Sequence, residues 1–411
     1  MTGLLQADAV ALPLADDSVD LVVTSPPYFA LRSYRDDGEH YDGQIGSEAT
    51  PQEFLDALWA VTAECVRVLK PSGSLWVNLG DKYANAGTRQ GNTGIGGTAM
   101  PEKRHVYQPL PPGTRTKSLM GLPWRYAIGC IDDLGLILRA EVVWSKPNGL
   151  PESVADRVRR SHEQWFHFTL EPRYFSALDE IREAYAPASY AWAELRERRS
   201  GEGHKLNDTS QALGGGHTGL NDSGVAEMNP LGKLPGSVWS IPSEPLQVPD
   251  DLGVDHFAAF PQEWPRRLIL GWCPAEVCTA CGQGRAPVVE TTYEELHRQS
   301  RSRGFADIKT AAPTGSHGVG DNLSVGRNVA TITGYACACP DTTAPSTPGV
   351  VLDPFAGTGT VPMVARALGR TGIGVDLSAD YLRLASWRVF ESGHASKSTA
   401  RTNAERQGSL L

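Results

Sequence analysis

Three hydrophobic patterns alternate along this chain, and each predicts a different kind of segment. Short apolar runs occur at residues 19–24 (VDLVVT), 74–80 (SLWVNLG) and 350–352 (VVL). Such runs predict strands buried on both faces. Between the first two, Phe54, Leu58, Val61, Cys65 and Leu69 recur at helical spacing, predicting a helix over 51–70. Thr50 can cap it, Pro51 suits its first position, Glu53 completes a capping box, and Pro71 with Gly73 stops it. Similar reasoning predicts a helix near 122–134, strands near 137–145 and 164–170, and a proline-bounded helix near 256–272. The block 348–390 predicts strand, glycine-rich turn, helix, strand, helix. Residues 1–18 predict a loop carrying Asp8 and a turn at Asp16-Asp17-Ser18. Strand, helix, strand implies a parallel α/β sheet.

The third pattern is polar and rich in glycine. Residues 83–118 predict a long mobile loop, and residues 198–237 a poorly ordered excursion. The tail, 391–411, is polar and predicts a flexible end. The chain has 411 residues, 40% of them hydrophobic, and a formal charge of −9. That composition fits a globular protein of two or three domains and argues against a general nucleic-acid coat. Charge is nonetheless uneven. Residues 82–125 hold seven cations (Lys82, Arg89, Lys103, Arg104, Arg115, Lys117, Arg125) against one acid, Glu102. This segment is either a solvated loop or a flap that meets phosphates. No apolar stretch reaches the ~20 residues of a membrane span. With no secretory signal pattern either, a cytoplasmic protein without membrane contact is expected.

Two stretches carry candidate chemistry. The first apolar run ends at Thr24, and Ser25-Pro26-Pro27-Tyr28-Phe29 follows. Read alone, this is either a rigid turn with a packed tyrosine or a displayed site. The strand Val350-Val351-Leu352 ends at Asp353, and Pro354-Phe355-Ala356-Gly357-Thr358-Gly359-Thr360 leads into a helix. Glycines 357 and 359 allow positive φ and close ligand approach. The next strand, GIGVD, ends at Asp376, where an acid suits ribose hydroxyls.

The string D-P-F-A-G-T-G-T resembles the S-adenosylmethionine signature of amino-group DNA methyltransferases, and Ser-Pro-Pro-Tyr resembles their catalytic (D/N/S)-P-P-(Y/F/W) motif. The resemblance implies that Ser25, Pro26, Pro27 and Tyr28 act on a flipped base. Acceptors at the Ser25 hydroxyl and the Pro26 carbonyl would take the N–H bonds of an exocyclic amine, and Tyr28 would stack on the ring. It also implies that Asp353, Pro354, Phe355, Gly357, Gly359 and Thr360 hold the cofactor, with Asp353 at its methionine end and Asp376 at its ribose. Phe260 and Pro261 flank it, and Asp8 sits near its adenine amino group. Ring-carbon methylation of cytosine is set aside, because none of the seven cysteines follows a proline. Trp144, Lys146, Asn148 and Arg157 match a W-x-K-P-N pattern, followed by the strand carrying Glu163.

The catalytic stretch precedes the cofactor turn, the circularly permuted order of the family's beta class. The implied fold is a seven-stranded Rossmann-like sheet with a target-recognition insertion. Residues 1–170 would be the catalytic half, 171–255 the recognition insertion, 256–272 a cofactor-flanking segment and 348–390 the cofactor half. Arg196, Arg198 and Arg199 either reach DNA or form a solvated helix face. Serine at the first signature position inclines the reading to cytosine N4 in duplex DNA, with adenine N6 as the alternative. An inactive zinc-bearing DNA-binding protein, and RNA or protein-glutamine methylation, are less favoured readings. A cognate restriction endonuclease and a bacterial or phage origin are left open.

Five of the seven cysteines fall in 273–347. Cys278-x-x-Cys281 and Cys337-x-Cys339 suit a structural zinc held by four thiolates. The second pair is tighter than usual, and Cys273 offers an alternative ligand. The long gap between the pairs predicts an excursion near 290–330 carrying Arg298, Arg301, Arg303 and Arg327.

Overall fold

The computed structural model describes residues 2–30, 35–36, 39–40, 43–84, 115–149, 151–186, 228–246, 260–296, 325–341 and 343–391. Most of the basic segment 83–118, the arginines at 196, 198, 199, 298, 301 and 303, and the tail from 392 lie outside the described residues, as does the side chain of Arg327.

The centre is an eight-stranded sheet. Its spatial order is β1 (Gly3–Gln6), β14 (Thr371–Asp376), β13 (Val350–Asp353), β2 (Val19–Thr24), β5 (Leu69–Leu79), β7 (His162–Thr169), β6 (Ile137–Ser145) and β8 (Val238–Ser240). The first five are mutually parallel, β7 is antiparallel to both its neighbours, and β8 runs parallel to β6. A two-residue pair, β3 (Arg35–Asp36) with β4 (Glu39–His40), lies apart from this sheet.

Strand β2 separates two cores, with a register shift between Val19 and Leu21. Val19 and Val22 join Phe54, Leu58, Val61 and Cys65 of α1 (Pro51–Val68) together with Leu122 and Tyr126 of α2 (Leu122–Asp132). Leu21 and Val23 face Trp264, Leu268 and Ile269 of α3 (Glu263–Trp272) and Val361 and Val364 of α4 (Thr360–Ala367). The capping box is formed: Glu53 N–H donates to Thr50 Oγ1 (3.2 Å), and Thr50 N–H to Glu53 Oε2 (3.0 Å).

Three expectations change. Helix α1 ends at Val68, and β5 runs from Leu69 through Pro71 and Gly73. The residue before a proline is pushed to extended backbone, so Pro71 starts the strand early, and Leu69 already pairs with Val19. The Gly3–Gln6 stretch is an edge strand, not loop, paired with Ile373–Asp376. It has two apolar residues and no alternation, so the pattern conceals it. The sheet has eight strands, not seven, because Val238–Ser240 from the expected recognition insertion pairs with Val143–Ser145. Trp239 anchors it, stacked on Trp264 with ring centres 4.9 Å apart.

The chain forms two compact units. One comprises 1–181, 236–286 and 337–411; the other comprises 182–235 and 287–336. The second contains a hairpin between β10 (Ala286–Leu296) and β11 (Val325–Ala336), and a Glu183–Lys233 bridge. A short pair in the first unit, β9 (Val277–Cys278) with β12 (Ser346–Thr347), is antiparallel. No helix among the described residues is long and apolar enough to cross a membrane.

Candidate active site

Parallel strands deliver their following loops to one edge of a sheet, and β2 and β13 are adjacent and parallel. Ser25 follows the carboxyl end of β2, and the glycine turn follows β13. Ser25 and Pro27 therefore wall the same cleft as Pro354, Phe355, Gly357, Thr358 and Thr360. Asp8, Phe260 and Asp376 complete much of its wall. The cleft spans about 880 Å³ of space, part of it open solvent.

The turn is held from several sides. Gly357 and Gly359 have φ of 48° and 73°, the left-handed region that a side chain disfavours. Asp376 accepts Gly357 N–H at Oδ2 (2.8 Å) and Ser378 N–H at Oδ1 (2.9 Å). Buried Arg388 donates to Thr358 O (2.9 Å) and Thr360 Oγ1 (2.9 Å), and also bonds Thr358 Oγ1. Burial lowers its guanidinium to about 10, so it remains a cation at neutral pH. Asp353 lies beneath the turn, outside the cleft wall, where its Oδ1 accepts Thr24 Oγ1–H (2.8 Å) and Phe355 N–H (3.1 Å). Burial raises its carboxyl to about 7; those two hydrogen bonds oppose the shift, and Asp376 adds to it.

At the opposite corner, Pro26 is buried, Tyr28 is half-buried, and neither lines the cleft. Ser25 Oγ–H donates to Asn78 Oδ1 (3.2 Å). The Tyr28 hydroxyl lies 2.8 Å from the same oxygen and 2.9 Å from Glu163 Oε2. Asn78 donates its amide to Gln164 O (3.0 Å), which fixes its carbonyl end toward Ser25 and Tyr28. Lys146 pairs with Glu163 and stands 4.0 Å from the Trp144 ring centre. Asn148 donates Nδ2–H to Ser243 O, while its Oδ1 accepts Ser243 N–H. Arg157 covers the Tyr83 ring at 3.8 Å. Phe29 is buried against Phe54, with ring centres 5.6 Å apart, so it belongs to the core and is not displayed.

Gly359 and Pro261 also stand outside the cleft wall. Gly359 opens α4, and a Cβ there would meet Ala385 at 2.9 Å, so its role is close packing. Several residues that the pattern reading passed over do line the cleft or support it: Gln44, Ile45, Leu377, Tyr381, Asn78 and Arg388. Asn78 was legible as the lone polar residue inside the apolar run SLWVNLG. The others carry no local signal.

Four cysteines outside this cleft also converge. The Sγ atoms of Cys278, Cys281, Cys337 and Cys339 all lie within 4.8 Å of one another. Cys273 is buried elsewhere and makes its contact with Pro274 O.

Comparison with known proteins gives the same picture. The DNA methylase family N6_N4_Mtase matches residues 19–276 and 343–386. Type II methyltransferase M.XycI of Xanthomonas campestris pv. cyanopsidis is 42% identical over 205 residues, which are 48% of this chain and 62% of that protein. M.Cfr9I of Citrobacter freundii is 33% identical over 275 residues, 65% of this chain and 71% of the relative. The PvuII DNA methyltransferase structure superposes with a TM-score of 0.50 at 15% identity, covering 97% of this chain and 90% of that one, a likeness of fold. With more than half of its length matched and the two signature corners walling one cleft, the chain belongs to the N6/N4 family of DNA methylases.

Proposed function

We propose that this protein transfers a methyl group from S-adenosylmethionine to the exocyclic N4 of cytosine in duplex DNA, with the target base turned out of the helix. The observation that carries this reading is the shared cleft: Ser25 and Pro27 on one wall, Phe355, Gly357 and Asp376 on the other. The donor set fits the cofactor. Phe355, Ile45 and Tyr381 offer apolar surface to a heteroaromatic ring. Asp376 lines the cleft and accepts the Gly357 and Ser378 N–H groups, which set a carboxylate where ribose hydroxyls can donate. Asp8 and Asp376 place negative charge around a cationic ligand. Bound there, S-adenosylmethionine would supply an electrophilic methyl group on a sulfonium sulfur.

The chain's own part is to make a poor nucleophile usable. The lone pair of an exocyclic amine is conjugated with its ring. Ser25 donates its proton to Asn78, so its oxygen presents only lone pairs elsewhere and can accept an amine N–H. The Pro26 carbonyl is the second acceptor, held rigidly by the locked φ angles of both prolines. Together they favour pyramidal nitrogen, and the acidic N–H proton of the methylated amine leaves to solvent water at the open side of the cleft. Tyr28 lies outside the cofactor cleft, and its half-buried ring would be the flat wall for the base beside it, backed by Gly80, where a Cβ would sit 2.7 Å from Cε2. Phe260, Pro354 and Thr360 shape the cofactor side, and Asp353 and Gly359 hold the turn.

The order of the two corners along the chain supports the permuted beta-class arrangement. Residues 171–255 remain the proposed recognition block, with 238–240 lent to the sheet, and the basic segment 82–125 the proposed phosphate contact. That the relatives are named Type II methyltransferases supports a cytoplasmic role beside a restriction endonuclease. The preference for cytosine over adenine rests on Ser25 alone. The four-cysteine cluster holds no part of this reaction.

Labelled methyl transfer to duplex DNA, followed by nucleoside mass spectrometry, tests the reading. N4-methylcytosine is the expected product. N6-methyladenine would overturn the base assignment, and 5-methylcytosine would overturn the mechanism.

A further inference from the structure

The strongest chemistry outside the cleft is the cysteine cluster, and it lies within one compact unit. Four thiol sulfurs mutually within 4.8 Å are crowded for free cysteines. A zinc ion with four Zn–S bonds of about 2.3 Å requires S–S edges of about 3.8 Å. Cys281 Sγ and Cys337 Sγ stand 3.8 Å apart. We infer that Cys278, Cys281, Cys337 and Cys339 bind one structural zinc ion as thiolates, and that this ion closes the feet of the segment between the two pairs.

Hydrogen-bond donors surround the sulfurs. Backbone N–H groups of Cys281 and Ala280 point to the Cys278 sulfur, and Gln283 N–H to that of Cys281. Donors of this kind orient and stabilise metal-bound sulfur. Gly282, at φ 70°, lets the chain fold back so that its N–H bonds Cys278 O (2.8 Å) and Cys278 N–H bonds Gln283 O (2.9 Å). The Arg285 guanidinium pairs with Glu276 and also reaches the Cys278 and Cys337 sulfurs, countering the negative charge of a four-thiolate site. Four protein ligands leave no open position, which marks a structural site, not a catalytic one.

Placement gives the role. Cys281 precedes β10 by a few residues, and Cys337 follows β11 directly. One ion would therefore join chain positions 56 residues apart, where the chain departs for the hairpin and returns. The adjoining scaffold is thin. Two-residue strands β9 and β12 pair, Thr279 N–H bonds Pro345 O (3.0 Å), and Arg285 bonds Ala344 O. A metal closure supplies what so few hydrogen bonds cannot.

The test uses the full chain. Elemental analysis of purified protein should give one zinc per chain. Cobalt substitution should give intense thiolate-to-metal charge transfer and the visible bands of a tetrahedral four-sulfur site. Cys281→Ser and Cys337→Ser should each lose most of the metal, and limited proteolysis should then cut faster within 282–336. Cys273→Ala should keep it. Metal-free wild-type protein with four titratable thiols in this cluster would overturn the proposal. So would a Cys281–Cys337 disulfide in reduced cytoplasmic extract, or full zinc retention in both serine variants.

Discussion

At the scale of single residues, two side chains near the turn invite opposite experiments. Ser25 touches the cleft and its removal leaves the cofactor turn untouched. Ser25→Ala should lower kcat by about 10²-fold, as loss of one pre-set polar partner does, with cofactor Kd unchanged by equilibrium titration. A comparable loss of cofactor affinity would refute the assignment. Asp353 is a matter of protonation. Its carboxyl is raised from the unfolded value near 4 to about 7, so the folded chain keeps a proton that the unfolded chain releases as pH rises. Its contribution is therefore most favourable at pH 4 and below, declines as pH climbs to 7, and is flat beyond. Asp353→Asn keeps an acceptor for Thr24 and Phe355 but cannot ionise. Relative to wild type, it should gain up to about 4 kcal/mol between pH 4 and pH 7 in denaturant titrations. A difference that is constant with pH would contradict a neutral, buried Asp353.

At the scale of elements, the same chemistry that was readable in sequence can be checked by measurement. The Thr50–Glu53 box is a reciprocal pair of hydrogen bonds at the start of an 18-residue helix. Thr50→Ala should cost about 1 kcal/mol of unfolding free energy and leave activity alone. Strand β5 does more than fill the core, since its end carries Asn78, and Gly80 just beyond it, against Tyr28. Gly80→Ala would drive a methyl into a ring whose hydroxyl is already held by Asn78 and Glu163. Methyl transfer should fall by at least about tenfold with little change in melting temperature. What was legible here follows a physical division. The helix of 51–68, the buried strands and the glycine turn announce themselves through period, caps and backbone freedom. Edge strand β1 and the three-residue β8 do not, because their pairing is decided by distant partners. Gln44, Tyr381 and Arg388 reach the site through tertiary packing alone, and no local pattern marks them.

At the scale of the whole molecule, the question is how corners more than three hundred residues apart along the chain come to share a wall. The sheet answers through β2 and β13, which pair over Leu21–Val22 and Val351–Leu352. Asp20 is the polar pin of that seam. It is buried, and its Oδ1 meets Lys70 Nζ of β5 at 2.7 Å. Its Oδ2 accepts Val350 N–H of β13 at 2.8 Å, across 330 residues of chain. One carboxylate therefore joins three adjacent strands at the end opposite the cleft, and both its oxygens are used. Asp20→Ala would strand a half-buried ammonium and a half-buried N–H together, a loss of about 2–4 kcal/mol. Asp20→Asn would keep one acceptor and cost less. Because the seam aligns the two corners, the alanine variant should also bind cofactor more weakly, although no cofactor-lining residue has changed. An Asp20→Ala protein with wild-type stability and cofactor affinity would show that apolar packing across β2 and β13 suffices to bring the two halves of the site together.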